Sequence, residues 1–197
     1  SYLDRVCAKE DLGRDETKTI FESLIKGEMD PVEIAALLIA LKAKGESPEE
    51  IAAAAEAMRC SATPFDRPDY RFADTCGTGG DMSGTINIST AAALVAAEMG
   101  IPIAKHGNRS MSSKCGSADV LELMGVKIDA SPDIARKCLD EVGICFLFAP
   151  AYHPGMKYAM PVRKVLKTRT IFNILGPLAN PAAPCCQIMG VFDKSRC

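Results

Sequence analysis

Apolar residues follow two different rhythms along the chain. In the first 63 residues they recur at three- and four-residue spacing, as in "DETKTIFESLIKG", where Ile20, Phe21, Leu24 and Ile25 fall on one helical face. Asp30 is placed to cap a second helix, with Pro31 and Glu33 in its first turn and Gly45 at its end. "SPEEIAAAAEAM" repeats the device, with Ser47 as N-cap, Pro48 at the first helical position and Glu50 two residues later. Three short helices joined by turns predict a small all-helical domain over residues 1–63. Helices this short depend on tertiary packing, and they cannot bury every apolar side on one another. A homodimer contact through these helices is therefore expected.

After "CSATPFDRPDY" the rhythm changes. "YRFAD", "IPIAKH", "ICFLFAP" and "QIMGVF" read as strands. Between them "INISTAAALVAAEMG", "SADVLELMG" and "SPDIARKCLDEVG" read as helices. The alternation predicts an α/β domain over residues 70–197, with a mostly parallel sheet flanked by helices. "QIMGVF" falls near the last residue, and a sheet edge left bare there would be a liability. The chain is accordingly expected to be a piece of a longer protein.

Composition narrows the classes. The 197 residues are 48% hydrophobic and 24% charged, enough to bury a core and unlike a disordered chain. A net charge of −2 argues against general nucleic-acid binding, and the apolar runs are too short to span a bilayer. Nine cysteines without a Cys-x-x-Cys pair, beside two histidines, do not make a zinc site. They fit free thiols in a reducing, cytoplasmic compartment. Cys76 borders a glycine-rich loop, where it reads either as a nucleophile or, with no histidine near it in sequence, as loop packing.

That loop, within "DTCGTGGDMSGTINIST", carries Gly77, Gly79, Gly80 and Gly84 among hydroxyls and amides. Glycines let backbone turn with positive φ and approach a ligand, and a strand–loop–helix passage presents N–H groups to an anion. Asp81 would repel a phosphate, so it is read as a partner for sugar hydroxyls, a holder of hydrated Mg²⁺ or a brace for the loop. The spacing is neither that of a Walker A loop nor that of a dinucleotide fingerprint. The second strand ends in "AKHGNRSMSSKCGSAD", which gathers Lys105, His106, Arg109 and Lys114 with Asn108 and Ser117. Cations and hydroxyls at a parallel-sheet strand end predict an oxyanion pocket, with Ser117 also able to cap the helix that follows.

"GTGGD", "NIST", "KHGNR", "SSKCGSADVLE" and "RTIFNILGPLANP", in this order, resemble anthranilate phosphoribosyltransferase over the whole chain. "GTGG" alone would also fit the related pyrimidine nucleoside phosphorylases, which lack "KHGNR" and "RTIFNILGPL" in this form. The resemblance implies that the phosphoribosyl pyrophosphate (PRPP) is bound by Gly77, Gly79, Gly80, Asp81, Thr85, Asn87, Ser89, Thr90, Lys105, Asn108 and Ser117, with Ser89 near Mg²⁺. It implies an anthranilate site at Gly77, His106, Asn108, His153, Tyr158 and Arg163. A bidentate guanidinium suits Arg163 to a carboxylate, although beside Lys164 it also reads as a surface cation. The implied reaction is displacement of pyrophosphate from PRPP by the anthranilate amine, a step of tryptophan biosynthesis.

The family carries a later Asp-Glu pair that holds Mg²⁺, and Asp140-Glu141 belongs to a different part of the pattern. This chain alone is therefore expected to be inactive. Two other readings stand beside the transferase: a pyrimidine nucleoside phosphorylase, and a non-catalytic phosphometabolite-binding protein.

Overall fold

A computed structural model describes residues 1–79, 85–110 and 115–193. In chain order the helices are α1 (Tyr2–Cys7), α2 (Arg14–Lys26), α3 (Pro31–Lys44), α4 (Pro48–Cys60), α5 (Ile88–Glu98), α6 (Ser117–Leu123), α7 (Pro132–Val142), α8 (Ala149–Tyr152), α9 (Ala159–Leu166) and α10 (Phe172–Leu178). The strands are β1 (Ala73–Gly77), β2 (Ile103–Gly107), β3 (Ile144–Phe148) and β4 (Cys186–Gly190). By compactness the chain forms two units: Ser1–Ala62 with His153–Ala179, and Thr63–Tyr152 with Asn180 onward. No helix among the described residues is long and apolar enough to cross a membrane.

The first unit is helical, and its starts and stops follow from local chemistry. The Asp30 carboxylate accepts the Val32 N–H at 2.7 Å, ahead of Pro31 at the first helical position. Ser47 and Glu50 form the reciprocal capping box of α4, and Glu50 is fully buried. That carboxylate also accepts from Leu12 N and Lys44 Nζ, each at 2.9 Å, so its charge is paired and its oxygens are engaged. The core joins Phe21, Leu24, Ile34, Leu37, Leu38 and Leu41 to Ile171, Phe172 and Leu175 from the returning segment. Phe21 and Phe172 meet edge to face, ring centres 5.9 Å apart.

The second unit is a four-stranded parallel sheet in the order β3-β2-β1-β4. Side chains of β3 alternate as the strand period requires. Cys145 and Leu147 join Ala135 and Leu139 of α7, while Phe146 and Phe148 join Ala118 and Leu121 of α6. The β1 strand runs from Ala73 to Gly77, three residues further along than "YRFAD" predicts. Pairing with β4 from Ala73↔Cys186 to Gly77↔Gly190 holds that segment extended despite its glycine.

The strand order also locates a crevice. From β1 the chain steps outward through β2 to β3, whereas β4 joins the opposite side of β1. The direction of winding therefore reverses at β1, and the carboxyl end of such a strand is where open α/β sheets bind ligands.

Candidate active site

The glycine loop leaves β1 at this reversal. Its start is pinned by β4, since Thr78 N donates to Gly190 O at 2.9 Å and Thr78 Oγ1 accepts from Phe192 N at 3.1 Å. Gly79 has φ +66°, a conformation in which a side chain is strained. Gly80 and Asp81 lie outside the described residues.

Near the carboxyl end of β1, three elements meet through one lysine. Lys105 lies in β2, 2% exposed, and its ammonium donates to Thr75 O at 2.5 Å and to Ser89 Oγ at 3.4 Å. Thr75 Oγ1 donates in turn to Ser89 O at 2.7 Å. Burial pushes the Lys105 pKa down, opposed by the charge of Asp74. Because one lone pair of Ser89 Oγ faces the ammonium, its O–H is left to donate elsewhere. Thr90, next in α5, has a buried hydroxyl with no hydrogen-bond partner among the described residues. Asn87 precedes α5 and its amide donates to Cys115 O at 3.2 Å, while Thr85 is exposed.

Asp74 is the buried counterpart of Lys105. Fully buried in β1, its carboxylate accepts from His106 N (3.3 Å), Asn180 Nδ2 (3.0 Å) and Gln187 Nε2 (3.1 Å). Desolvation raises its pKa, and the three hydrogen bonds and Lys105 oppose that rise. Sequence reasoning passes over this group, although an acid inside a strand next to a lysine-bearing strand is a visible signal.

The β2–α6 loop differs in detail from the cation pocket expected there. Arg109 is taken up by α6, with Nη1 2.8 Å from Glu122 Oε2 and 3.1 Å from Asp119 Oδ1, so its charge does not serve an anion. Lys114 lies outside the described residues. Ser117 is the first helical residue rather than the cap, which is Gly116, and Ser117 Oγ donates to Asn108 O at 3.2 Å. Asp119 closes the helix start by accepting Gly116 N at 2.7 Å and Ser110 N at 3.0 Å. His106 is buried on β2, and Asn108 Oδ1 accepts from Arg109 N at 2.7 Å. Burial drives the Cys76 thiol up to about 12, which leaves it a packing group beside Gln187 rather than a nucleophile.

His153, Tyr158 and Arg163 belong to the helical unit, where the returning segment places them. His153 is buried, its Nε2 3.0 Å from Ala179 O, and desolvation lowers its pKa. It borders a cavity of about 10 Å³ with Ile25, Met58 and Met156, room for one water and not for an aromatic ring. The Tyr158 ring lies where a side chain on Gly27 would be, 2.4 Å from that Cβ position, and Gly27 also has φ +79°. Arg163 stacks on Phe172 at 5.4 Å, burial lowers its pKa, and no carboxylate among the described residues forms an ion pair with it. It is not the exposed helix-surface cation that Lys164 beside it is.

A resident Mg²⁺ does not fit the described residues by themselves. Among them no three His, Cys, Asp or Glu side chains converge on a metal position. Ser89 supplies one hydroxyl, and a lysine ammonium already stands 3.4 Å from it.

Comparison with known proteins agrees with this arrangement. An anthranilate phosphoribosyltransferase of Sorangium cellulosum is 57% identical over 193 residues, covering 98% of this chain and 56% of the relative. The crystal structure of anthranilate phosphoribosyltransferase (TrpD) from Thermus thermophilus superposes with a TM-score of 0.92 at 46% identity, over 98% of this chain and 59% of that one. The Saccharomyces cerevisiae enzyme in complex with PRPP and Mg gives 0.79 at 31% identity, over 92% and 53%. The chain thus spans a little over half the length of the proteins it matches. Sequence profiles of the glycosyl transferase family match it in two parts, the helical bundle domain over residues 1–62 and the a/b domain over residues 69–197. By these matches the chain belongs to the glycosyl transferase family.

Proposed function

We propose that the protein carrying this chain is an anthranilate phosphoribosyltransferase, which moves the 5-phosphoribosyl group of PRPP to anthranilate and releases pyrophosphate. The observation that carries this reading is the buried contact of Lys105 with Thr75 and Ser89, near the strand end at the sheet's reversal point from which the glycine-rich sequence departs. The similarity to transferases over nearly the whole chain supports it. In this reading Gly77, Gly79, Gly80, Asp81, Thr85, Asn87, Ser89, Thr90, Lys105, Asn108 and Ser117 serve PRPP. Gly77, His106, Asn108, His153, Tyr158 and Arg163 serve anthranilate. Residues 1–63 and 70–197 are the helical domain and part of the α/β domain, in a protein of the cytoplasm.

The chemistry asks little of a base. An aromatic amine is unprotonated at neutral pH, so positioning it at C1 of the ribose supplies one large term. The other is stabilisation of pyrophosphate as its charge grows. Loop N–H groups, the start of α5, the half-buried Ser89 hydroxyl and the buried Thr90 hydroxyl are donors for that charge. Lys105 adds a fixed cation in a site of low dielectric. Mg²⁺ is the expected ion of the whole protein, and the relative solved with PRPP and Mg supports that expectation.

The test is product formation by the full-length protein. Anthranilate fluorescence should fall with PRPP and Mg²⁺, and thymidine with phosphate should give nothing. The reverse result would make the protein a nucleoside phosphorylase, and no turnover of either pair would favour a binding protein.

Arg163 supplies a sharper check. A half-buried guanidinium without a carboxylate partner among the described residues fits the acid group of anthranilate, so Arg163→Ala should raise the anthranilate KM about 10-fold or more and leave the PRPP KM nearly unchanged. Arg163→Lys should recover only part of the loss, because the planar fork is gone. A larger change in the PRPP KM would remove Arg163 from the acceptor site.

A homodimer through the N-terminal helices belongs to the same proposal. Val32 (77% exposed), Ala36, Ile39 (40% exposed) and Ala43 line one outward face of α3. Light scattering on the full-length protein should show a dimer that Val32→Glu with Ile39→Glu dissociates. A dimer indifferent to both charges would put the interface elsewhere.

A further inference from the structure

We propose that Cys185 and Cys186 form a peroxide-oxidisable dithiol, a modification site on the opposite end of β4 from the glycine loop. Consecutive side chains of a strand normally point to opposite faces. Here the chain is only entering β4, after Ala183 at φ +46° and Pro184, and the two sulfurs lie 3.9 Å apart. Both cysteines are exposed. The Arg71 guanidinium stands beside the pair, with Nη2 3.7 Å from Cys186 Sγ, and the Cys185 thiol is 3.1 Å from Phe72 O. A guanidinium next to a thiol favours the thiolate, the form that attacks an oxidant. The other described cysteines lack this combination. Cys76 and Cys145 are buried with thiols pushed up to about 12, and Cys7 and Cys60 are exposed in separate helices.

The reaction balances with a hydroperoxide as oxidant. One sulfur of the pair, as thiolate, attacks a peroxide oxygen; the S–O bond forms, the O–O bond breaks and hydroxide leaves. The other thiol then attacks the sulfenic sulfur, the S–S bond forms, and the oxygen departs as water. Two thiols lose two electrons and two protons, and hydrogen peroxide becomes two waters.

Trypsin isolates the pair, because the peptide from Thr170 to Lys194 contains Cys185, Cys186 and no other cysteine. Reduced protein is exposed to hydrogen peroxide, alkylated and digested. The Thr170–Lys194 peptide should appear unalkylated and two hydrogens lighter, well before the Cys7 and Cys60 peptides lose alkylation. Cys185→Ser should abolish that species and leave a sulfenic acid that dimedone traps on Cys186. Arg71→Gln should slow formation several-fold while both thiols stay accessible to alkylation under denaturing conditions. Oxidation of Cys7 or Cys60 at the same rate would overturn the proposal. So would a disulfide that joins two chains, or a rate indifferent to Arg71→Gln.

Discussion

Asp74→Ala should be among the most damaging single substitutions in the α/β unit, lowering stability by about 3–5 kcal/mol, the usual scale for breaking a buried charged network. The carboxylate is fully buried and accepts three hydrogen bonds, from a neighbouring strand, from Asn180 and from Gln187. Alanine leaves the His106 N–H and the Asn180 amide facing a void, and leaves the Lys105 charge without its counterpart. Asparagine should not rescue fully. In one orientation its NH₂ meets the His106 N–H, and in the other it meets the amides of Gln187 and of Asn180, which cannot turn over. Asn180 Oδ1 already accepts Ala182 N at 2.9 Å, and its Nδ2 also donates to Ala104 O at 2.9 Å.

The pH dependence has a definite sign. Burial raises the Asp74 pKa above its ordinary 3.8, so the folded state holds this proton more tightly than the unfolded one. The group's contribution is fully present below the unfolded pKa and is lost as pH rises through the folded value. The stability gap between the wild type and Asp74→Asn should therefore be widest below about pH 4 and narrow as pH rises. Urea unfolding at several pH values measures it. An unchanged midpoint for Asp74→Ala, or a gap that widens with pH, would show that the network does not hold the unit together.

Gly116→Ala should disable the β2–α6 loop. An added Cβ would stand 2.3 Å from Ser110 N, 2.7 Å from Arg109 C and 2.8 Å from Asn108 O, all of them backbone. No rotamer change relieves such a contact, so the loop must open. Opening separates Ser110 N and Gly116 N, which Asp119 holds together, and shifts both Asn108 and Ser117. The expected cost is about 1–3 kcal/mol of stability, with a loss of PRPP affinity measurable by calorimetry. Gly100→Ala is the control, since φ +85° strains alanine but no atom lies within 4 Å. It should cost roughly 1–2 kcal/mol and leave PRPP binding unchanged. Equal PRPP affinity in Gly116→Ala would mean that the loop's close approach does not shape the site.

Much of this architecture is legible in the sequence, for reasons that are local. Asp30, Ser47 with Glu50, and Ser131 all cap the helices their spacing announces. Gly143 takes the left-handed conformation that ends α7. The strand segments are short apolar runs between turn residues, and all four pair in parallel. What escapes is whatever depends on distant chain. The segment 153–178 is helical in short pieces, with prolines at 154, 161 and 177 and no sustained period to read. Its placement against α2, α3 and α4 comes from tertiary packing alone. Arg109 reads as a ligand cation because Asp119 and Glu122 are anonymous until α6 brings them round. Lys105 reads as a strand-end charge, and its burial becomes intelligible only once Thr75, Ser89 and Asp74 surround it.

The division of the chain into two units also sets an order of folding. The helical core lacks Ile171, Phe172, Leu175 and Ala179 until the returning segment has been synthesised. The sheet lacks β4, and Asp74 lacks Asn180 and Gln187, until about residue 190. Contacts separated by more than 100 residues pay their loop-closure entropy late, so each unit waits on a segment made long after its first elements. During synthesis, the helical segments of a nascent chain ending at Tyr152 should be digested readily by protease, whereas in one extended past Ala179 and clear of the ribosome they should resist it. Resistance at Tyr152 would mean that one unit closes without its final segment. If the order holds, the helical half stays open to aggregation until translation reaches about Ala179, a wait of roughly 10–35 seconds at about 5–20 residues per second.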